Sequence, residues 1–454
     1  MAGIGLERFA GKRVGILGLA RSGLAAARAL AAAGAEILAF DDRPEVLAAS
    51  GLPAGTPGAV PGLALLVPSP GVPLGHPLIA AARAAGVPVR GDVDLFARLL
   101  GPRPLIGITG TNGKSTTTAL IHHLLLAAGR DAVMGGNIGR PVFDLELGPE
   151  ERIFVLELSS FQLDLCAELP CRVAVWLNLT PDHLDRHGDM AGYLAAKRRI
   201  FQGQGPEDVA VVAIDDAPSR ATAQELRRQG RRVVTVSLDE AVPAGIEAGS
   251  GRLIDRLDGA PVEAIDLRAL GNLRGRHNWQ NAAAAYAALR SLGLTGAQAV
   301  AGLPTFRALP HRMEEVARAG RVVWVNDSKA TNTDAAATSL KSFADIYWIA
   351  GGKPKPGGFA SLRPLMGAVR AGYLIGQAAD EIAADLGDLA PMRRLGTLEA
   401  ALAAASADAR AGDAAEAVVL LAPACASFDQ FTSFEARGDR FRALAELAAR
   451  EPAA

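Results

Sequence analysis

The run that most restricts how this chain can fold is Leu105-Ile106-Gly107-Ile108-Thr109-Gly110-Thr111-Asn112-Gly113-Lys114-Ser115-Thr116-Thr117-Thr118. A short apolar, β-branched stretch reads as a strand, a glycine-bracketed turn follows, and Lys-Ser opens a helical run of small and apolar residues. Such a turn points successive backbone N–H groups at one place, and the helix start adds its partial positive charge. An anion the size of a phosphate chain fits there. Gly110, Thr111, Asn112, Gly113, Lys114, Ser115 and Thr116 are therefore expected to bind a nucleoside triphosphate. Lys114 would reach the outer phosphates and the Ser115 hydroxyl would be a Mg²⁺ ligand. The usual spacing asks for a first glycine at position 108, where this chain has Ile108, so only the second half of the generic motif is met.

The 454-residue length allows about three domains, and a hydrophobic content of 50% allows large cores. A formal net charge of −1 gives no electrostatic case for nucleic acid or an anionic membrane. The three cysteines, Cys166, Cys171 and Cys425, show no CxxC spacing, which fits a reducing, cytoplasmic setting. No apolar run reaches membrane-spanning length.

Ahead of the phosphate loop, Arg13-Val14-Gly15-Ile16-Leu17-Gly18-Leu19-Ala20-Arg21-Ser22-Gly23 reads as another strand and glycine turn leading into a helix. A second strand at 36–40 ends at Asp41-Asp42-Arg43, an acidic strand tip that resembles a dinucleotide fingerprint, although Gly18-x-x-x-x-Gly23 departs from GxGxxG. The breakers Gly101-Pro102-Arg103-Pro104 suggest a boundary, so the expected domains are 1–102, 103–304 and 305–454. Apolar strand candidates recur at 153–158, 173–177, 209–214 and 233–236, and again at 322–325, 346–350, 371–375 and 417–421. Residues 245–267 read as a small hairpin appendage and 278–290 as a helix. The fold class is thus α/β in three parts: a Rossmann-like N-terminal domain, a central parallel-sheet domain of the phosphate-loop ATPase kind, and a Rossmann-like C-terminal domain.

Glu157 ends an apolar strand beside the phosphate loop, where a carboxylate would hold Mg²⁺ or orient water. The polar loop Asn178-Leu179-Thr180-Pro181-Asp182-His183-Leu184-Asp185-Arg186-His187-Gly188 follows another strand. It offers His183 as a ligand and His187 as a structural residue. Lys197, taken alone, reads as part of a solvated helix face.

Taken together, Gly110 to Thr116, Glu157 to Leu163, Asn178 to Gly188, Lys197, Arg276-His277-Asn278-x-x-Asn281, His311-Arg312-Met313-Glu314 and Asp327-Ser328-Lys329-Ala330-Thr331-Asn332 resemble the Mur ligases. These are ATP-dependent amide-forming enzymes of peptidoglycan precursor synthesis. Ser159-Ser160-Phe161-Gln162-Leu163 and Ala424-Cys425-Ala426-Ser427-Phe428-Asp429-Gln430-Phe431 look like the members that add glutamate. The Asp-Glu-Ser-Asp-like run of the alanine-adding members and the Asn-Pro-Arg run of the diaminopimelate- or lysine-adding members are absent.

The resemblance implies ATP, two Mg²⁺ ions and a carbamylated Lys197. The metal ligands would be Ser115, Glu157, His183 and Lys197, and Lys114, Glu157, His183 and Lys197 would be the catalytic set. Asn278 and Asn281 would face adenine, and Arg312 and Asp327 the triphosphate and ribose. The substrates it implies are UDP-N-acetylmuramoyl-L-alanine and D-glutamate. Leu19, Ala20, Asp41, Asp42, Arg43, Gly71, Asn137 and Ser159 would hold the first. Lys329, Thr331, Lys355, Ser427 and the backbone beside Phe434 would hold the second. In Gly351-Gly352-Lys353-Pro354-Lys355-Pro356-Gly357-Gly358, where the family more often carries Gly-Gly-Asp-Gly-Lys, either Lys353 or Lys355 would bind the side-chain carboxylate. A monomer is expected. The alternatives are a sister ligase using another amino acid or L-glutamate, and a nucleotide-binding dehydrogenase or sensor built on the first βαβ unit.

Overall fold

The computed structural model describes residues 5–270, 273–307, 309–355 and 357–451, so Pro356 of the lysine loop lies outside the described residues. The chain forms two compact units, Met1–Leu270 with Asn278–Phe306, and Gly271–His277 with Arg307–Ala454.

The first unit carries two sheets. β1 (Arg13–Leu17), β2 (Glu36–Phe40) and β3 (Leu65–Pro68) pair in the order β2-β1-β3, all parallel. Their registers bring Leu17 level with Phe40 and Pro68, so the loops leaving all three strands emerge together. That end of an open parallel sheet is where ligands bind. The helix Arg21–Ala32 packs tightly on its own turn: a Cβ at Gly23 would lie 2.0 Å from the Gly18 carbonyl oxygen.

The second sheet holds β4 (Leu105–Thr109), β5 (Ala132–Gly136), β6 (Ile153–Glu157), β7 (Val173–Trp176), β8 (Val209–Ala213), β9 (Arg232–Ser237), β10 (Gly245–Glu247), β11 (Arg252–Asp255) and β12 (Val262–Asp266). Its order is β12-β11-β10-β9-β8-β7-β4-β6-β5. β4, β6, β7 and β8 are buried throughout, as strands covered by helices on both faces must be. β4 lies between β6 and β7, so the phosphate loop is flanked by the loops after Glu157 and Trp176. The residues 245–267 form the expected hairpin, but β10 runs parallel to β9 and joins the main sheet, with β11 and β12 antiparallel at its edge. Phe96, from the helix Asp92–Ala97, meets the Phe154 ring edge-on at 5.5 Å in the core beneath this sheet. Emptying such a position costs about 3–5 kcal/mol.

The second unit contains β13 (Glu314–Ala319), β14 (Val322–Asn326), β15 (Ile346–Gly351), β16 (Val369–Ile375), β17 (Met392–Gly396) and β18 (Ala417–Leu421), ordered β13-β14-β18-β15-β16-β17. β13 is antiparallel to β14, and the other pairs are parallel. The sequence pattern missed β13 and β17 because both are half-exposed edge strands without an apolar run. It missed β5 because two of that strand's five residues are glycine. Among the described residues no helix is long and apolar enough to cross a membrane.

Candidate active site

At the end of β4 the chain turns through Gly110-Thr111-Asn112-Gly113 into the helix Lys114–Ala127. Gly113 sits at φ +83°, and a Cβ there would lie 2.3 Å from Asn281 Oδ1, so glycine is required both for the turn and for the approach of the Arg276–Ser291 helix. Lys114 Nζ donates to the carbonyls of Gly110 (2.9 Å) and Thr111 (2.7 Å). Asn281 is buried; its Oδ1 accepts from Thr117 Oγ1 at 3.2 Å and its Nδ2 donates to Asn278 Oδ1 at 3.2 Å.

Ser115 Oγ donates to Glu157 Oε2, and Asn137 Nδ2 donates to Glu157 Oε1 at 2.7 Å. Glu157 is buried, yet both its oxygens are engaged, so hydroxyl and carboxylate oxygen stand side by side at the helix start. Lys197 is also buried. Its Nζ donates to Gly110 O (2.7 Å) and reaches Thr109 Oγ1 only at 3.5 Å, with the Tyr193 ring centroid at 4.8 Å. Burial and then the Lys114 charge push this amine well below the usual lysine range, against the pull of Asp182 and Glu157. His183 stands at φ +53°, rare for a residue with a Cβ, with Nε2 3.4 Å from Asp182 Oδ2. Burial lowers its imidazole; Asp182 opposes this, and Lys114 and Lys197 add to it.

Oxygen donors at a phosphate-binding helix start suit Mg²⁺, which keeps waters and phosphate oxygens among its ligands rather than needing an all-protein cage. No group of three or more His, Cys, Asp or Glu converges among the described residues. Lys197 fits only as a carbamate, because an amine offers no hard oxygen, and a neutral buried amine is the form that reacts with CO₂.

Where the first sheet ends there is a cavity of about 660 Å³ lined by Leu19, Ala20, Asp41, Asp42, Arg43, Gly71 and Asn137 among others. That size suits a substantial small molecule. Asp41 accepts from Leu19 N (2.8 Å) and from Arg43 Nε (3.1 Å). Burial pushes the Asp41 carboxyl up, but these hydrogen bonds outweigh it and leave it below the ordinary value. Ser159 is not among the lining residues: its hydroxyl caps the Ser160–Leu163 helix by accepting from Gln162 N at 3.2 Å, and Gln162 reaches the cavity. Arg21, Ser22, Ser69, His76 and Pro141 line it too and had no sequence signal beyond their neighbours.

In the second unit Lys329 Nζ lies 4.0 Å from the Phe434 ring centroid, and the Thr331 N–H donates to Lys329 O at 2.8 Å. Asp327 is buried and accepts from Ser339 Oγ; burial pushes its carboxyl up to about 6, with Ser339 and the Arg312 charge opposing. Lys353 pairs backbone to backbone with Ala426, next to Ser427. Lys355 is near enough for its charge to act on the Cys425 thiol. Among the described residues, five non-glycine positions have positive φ, and four of them, His183, His311, Met313 and Ala424, fall in the segments marked by the motifs. Strain of this kind clusters at functional sites.

Three residues that hold these segments in place were not singled out from sequence. Asn178 Oδ1 accepts from the N–H of Thr111 (3.1 Å) and of Asn112 (2.8 Å), so it fixes the phosphate loop. Arg186 stacks on Phe161 at 4.2 Å and donates to Val72 O at 3.0 Å, while Phe161 meets His183 at 4.8 Å. Arg437, fully buried, donates to Ser328 Oγ (3.0 Å), Ser328 O (2.9 Å) and Cys425 O (3.1 Å), joining two of the loops expected to bind glutamate. Only partners distant in sequence give these three residues their roles.

A glycine phosphate loop backed by a carboxylate and a buried lysine, with a separate cavity on a preceding parallel sheet, defines a ligase-type ATP site, and the chain belongs to the Mur ligase family. It matches the Mur ligase middle domain over residues 108–289 and the Mur ligase glutamate ligase domain over residues 311–425. Two relatives are named UDP-N-acetylmuramoylalanine--D-glutamate ligase. The one from Caulobacter sp. (strain K31) is 50% identical over 97% of each chain. The one from Nitrobacter hamburgensis is 48% identical, also over 97% of each. Among solved structures, a UDP-N-acetylmuramate-alanine ligase MurC from Thermotoga maritima shares the fold at TM-score 0.58 and 19% identity, covering 96% of this chain and 100% of its own. A MurF ligase from Thermotoga maritima in complex with ADP has TM-score 0.56 and 19% identity, covering 86% and 89%.

Proposed function

We infer that this chain is an ATP-dependent ligase that joins D-glutamate to UDP-N-acetylmuramoyl-L-alanine, in peptidoglycan precursor synthesis. The observation that carries the reading is one compact unit holding both an acid-tipped cavity after β1, β2 and β3 and the Ser115–Glu157 pair beside buried Lys197. The first is built for a nucleotide-linked substrate, the second for the phosphates of ATP.

The roles follow from charge. The substrate carboxylate attacks the γ-phosphorus of ATP, anion against anion, and forms an acyl phosphate and ADP. Lys114 and the amides at the start of its helix offset that repulsion, and Asn178 keeps the loop in shape for them. Asn278 and Asn281 face adenine; Arg312 and Asp327 serve the triphosphate and ribose. Mg²⁺ would be held by Ser115 and Glu157 and by His183 with a carbamylated Lys197, and would supply further charge neutralisation. The glutamate amine then attacks the acyl carbon and phosphate leaves. Lys329, Thr331, Lys355, Ser427 and the backbone at Phe434 receive the diacid. We assign residues 1–102 to the UDP-linked substrate, 103–304 to ATP and catalysis and 305–454 to the amino acid, in a monomer working in the cytoplasm.

The test is phosphate release by the purified chain with UDP-N-acetylmuramoyl-L-alanine, ATP and Mg²⁺ across a panel of D- and L-amino acids. D-glutamate alone should drive turnover. Preference for another amino acid, or for L-glutamate, would move the chain to a sister specificity, and retention of NAD rather than UDP would favour a dehydrogenase or sensor.

A further inference from the structure

The cavity of the first sheet is lined by one guanidinium that no carboxylate neutralises among the described residues. Its lining includes two arginines. Arg43 is neutralised, since its Nε donates to Asp41 at 3.1 Å. Among the described residues Arg21 has no carboxylate partner; its Nη2 donates to the Gly139 carbonyl, which belongs to the loop after β5. Both Arg21 and Gly139 line the cavity, so the side chain reaches from the β1 side to the β5 side across its mouth.

Its position in the chain makes this placement costly. Arg21 is the first residue of the Arg21–Ala32 helix, whose N-cap Ala20 supplies no side-chain acceptor and whose first turn has no acidic residue. A helix start carries partial positive charge and favours anions. A guanidinium there adds repulsion, and among the described residues no carboxylate pairs with it. The same feature is an advantage for a ligand with two or more negative charges: uncapped backbone N–H groups and a planar five-donor fork face one cavity.

We propose that Arg21 is a specificity-determining residue that reads the diphosphate of the nucleotide-linked substrate, and that its hold on Gly139 keeps the guanidinium at the cavity. The inference rests on the assignment of this cavity to the UDP-linked substrate. On this assignment Arg21 and the helix start take the phosphates, which leaves the acidic strand tip Asp41-Asp42-Arg43 to the base and ribose.

The test is equilibrium binding of UDP, UMP and uridine to the full-length chain, its Arg21→Ala variant and its Arg21→Lys variant. For Arg21→Ala, UDP affinity should fall about tenfold or more, as expected for a lost charge-assisted contact, while uridine affinity stays within about twofold. Arg21→Lys should fall between, because it keeps the charge without the fork. Thermal unfolding of ligand-free Arg21→Ala should occur at or slightly above the parent temperature, since a cation has been removed from a helix start. This readout separates a ligand-directed residue from a structural one. Equal loss for all three ligands would assign Arg21 to cavity shape and overturn the proposal. So would unchanged UDP affinity in the alanine variant. If the parent chain itself retains no UDP, the assignment of the cavity fails, and this inference with it.

Discussion

The two glycine turns of the first unit start alike and end differently. After β1 and after β4 the chain leaves a buried parallel strand, passes a glycine with positive φ and enters a helix whose N-cap offers no side-chain hydrogen bond. Neither helix start is capped by the side chain of its N-cap residue. Their difference comes from neighbouring strands. β1 lies between β2 and β3, which bring Asp41 and Ser69 and leave a wide cavity. β4 lies between β6 and β7, which bring Glu157 onto Ser115 and Asn178 onto the loop amides. A glycine turn thus specifies that an anion can bind; the adjacent strand ends specify which anion and whether chemistry follows.

The comparison breaks most sharply at Lys114. Lys114→Ala should lower ATP-dependent phosphate release by at least about a hundredfold to a thousandfold, the range for removing one donor to developing charge. Affinity for the UDP-linked substrate should stay within about twofold. Parallel loss of both affinities would mean that the two turns serve one ligand.

Lys197 comes next. An exposed helix lysine contributes about 0–1 kcal/mol, so on that view Lys197→Ala would be nearly silent. A carbamate about 4 Å from a divalent ion interacts by roughly 8 kcal/mol at an effective dielectric near 20. Even after generous discount for water replacing it, kcat should fall at least about a hundredfold. Native mass analysis in bicarbonate should show a labile CO₂ adduct on the parent chain that is missing from the variant. Normal turnover would remove Lys197 from the site.

The contrast extends to the second unit, where no single turn makes a site. Lys355→Ala should raise the apparent KM for glutamate by roughly ten- to a hundredfold, the worth of a charge-assisted contact to a carboxylate, and Lys353→Ala by much less. Steady-state kinetics with varied glutamate decides it; the reverse order would show that the prolines flanking Lys355 shift the loop register.

The smallest effect concerns support for the first turn. Asp92 is buried, and burial pushes its carboxyl up to about 6 from 3.8, against hydrogen bonds from Val93 and from Ser22, which lines the cavity. Above pH 6 the folded chain holds a buried carboxylate that the unfolded chain would hydrate, so the residue destabilises the fold there. Below about 4 both states are protonated and the penalty disappears. Asp92→Asn should therefore unfold at a higher temperature than the parent at pH 7.5, with the gap closing between pH 6 and 4. A gap independent of pH would show that ionisation of Asp92 is not its source.

What could be read directly from the residues was whatever is contiguous. Gly110 to Ser115 is one run, and its strand and helix follow from apolar pattern and glycine placement, so the phosphate loop and the parallel sheet were legible. The same holds for the acidic tip Asp41-Asp42-Arg43 after β2. The edge strands β13 and β17 were not legible, because half-exposed strands have no apolar signature. Lys197 is the clearest case of a residue whose chemistry was hidden: within its helix it reads as a surface cation. Packing of the Met190–Arg198 helix under β4 buries its amine against Gly110 O and lowers its proton affinity. Asn178, Arg186 and Arg437 share this property, since each acts on residues tens of positions away or on another loop. Sequence by itself determined the secondary-structure periods and the phosphate-binding turn, which depend on neighbours along the chain. Burial, proton affinity and the pairing of distant polar groups were decided only by the tertiary structure, because each depends on which side chains the fold brings within a few ångströms and on how much water it removes.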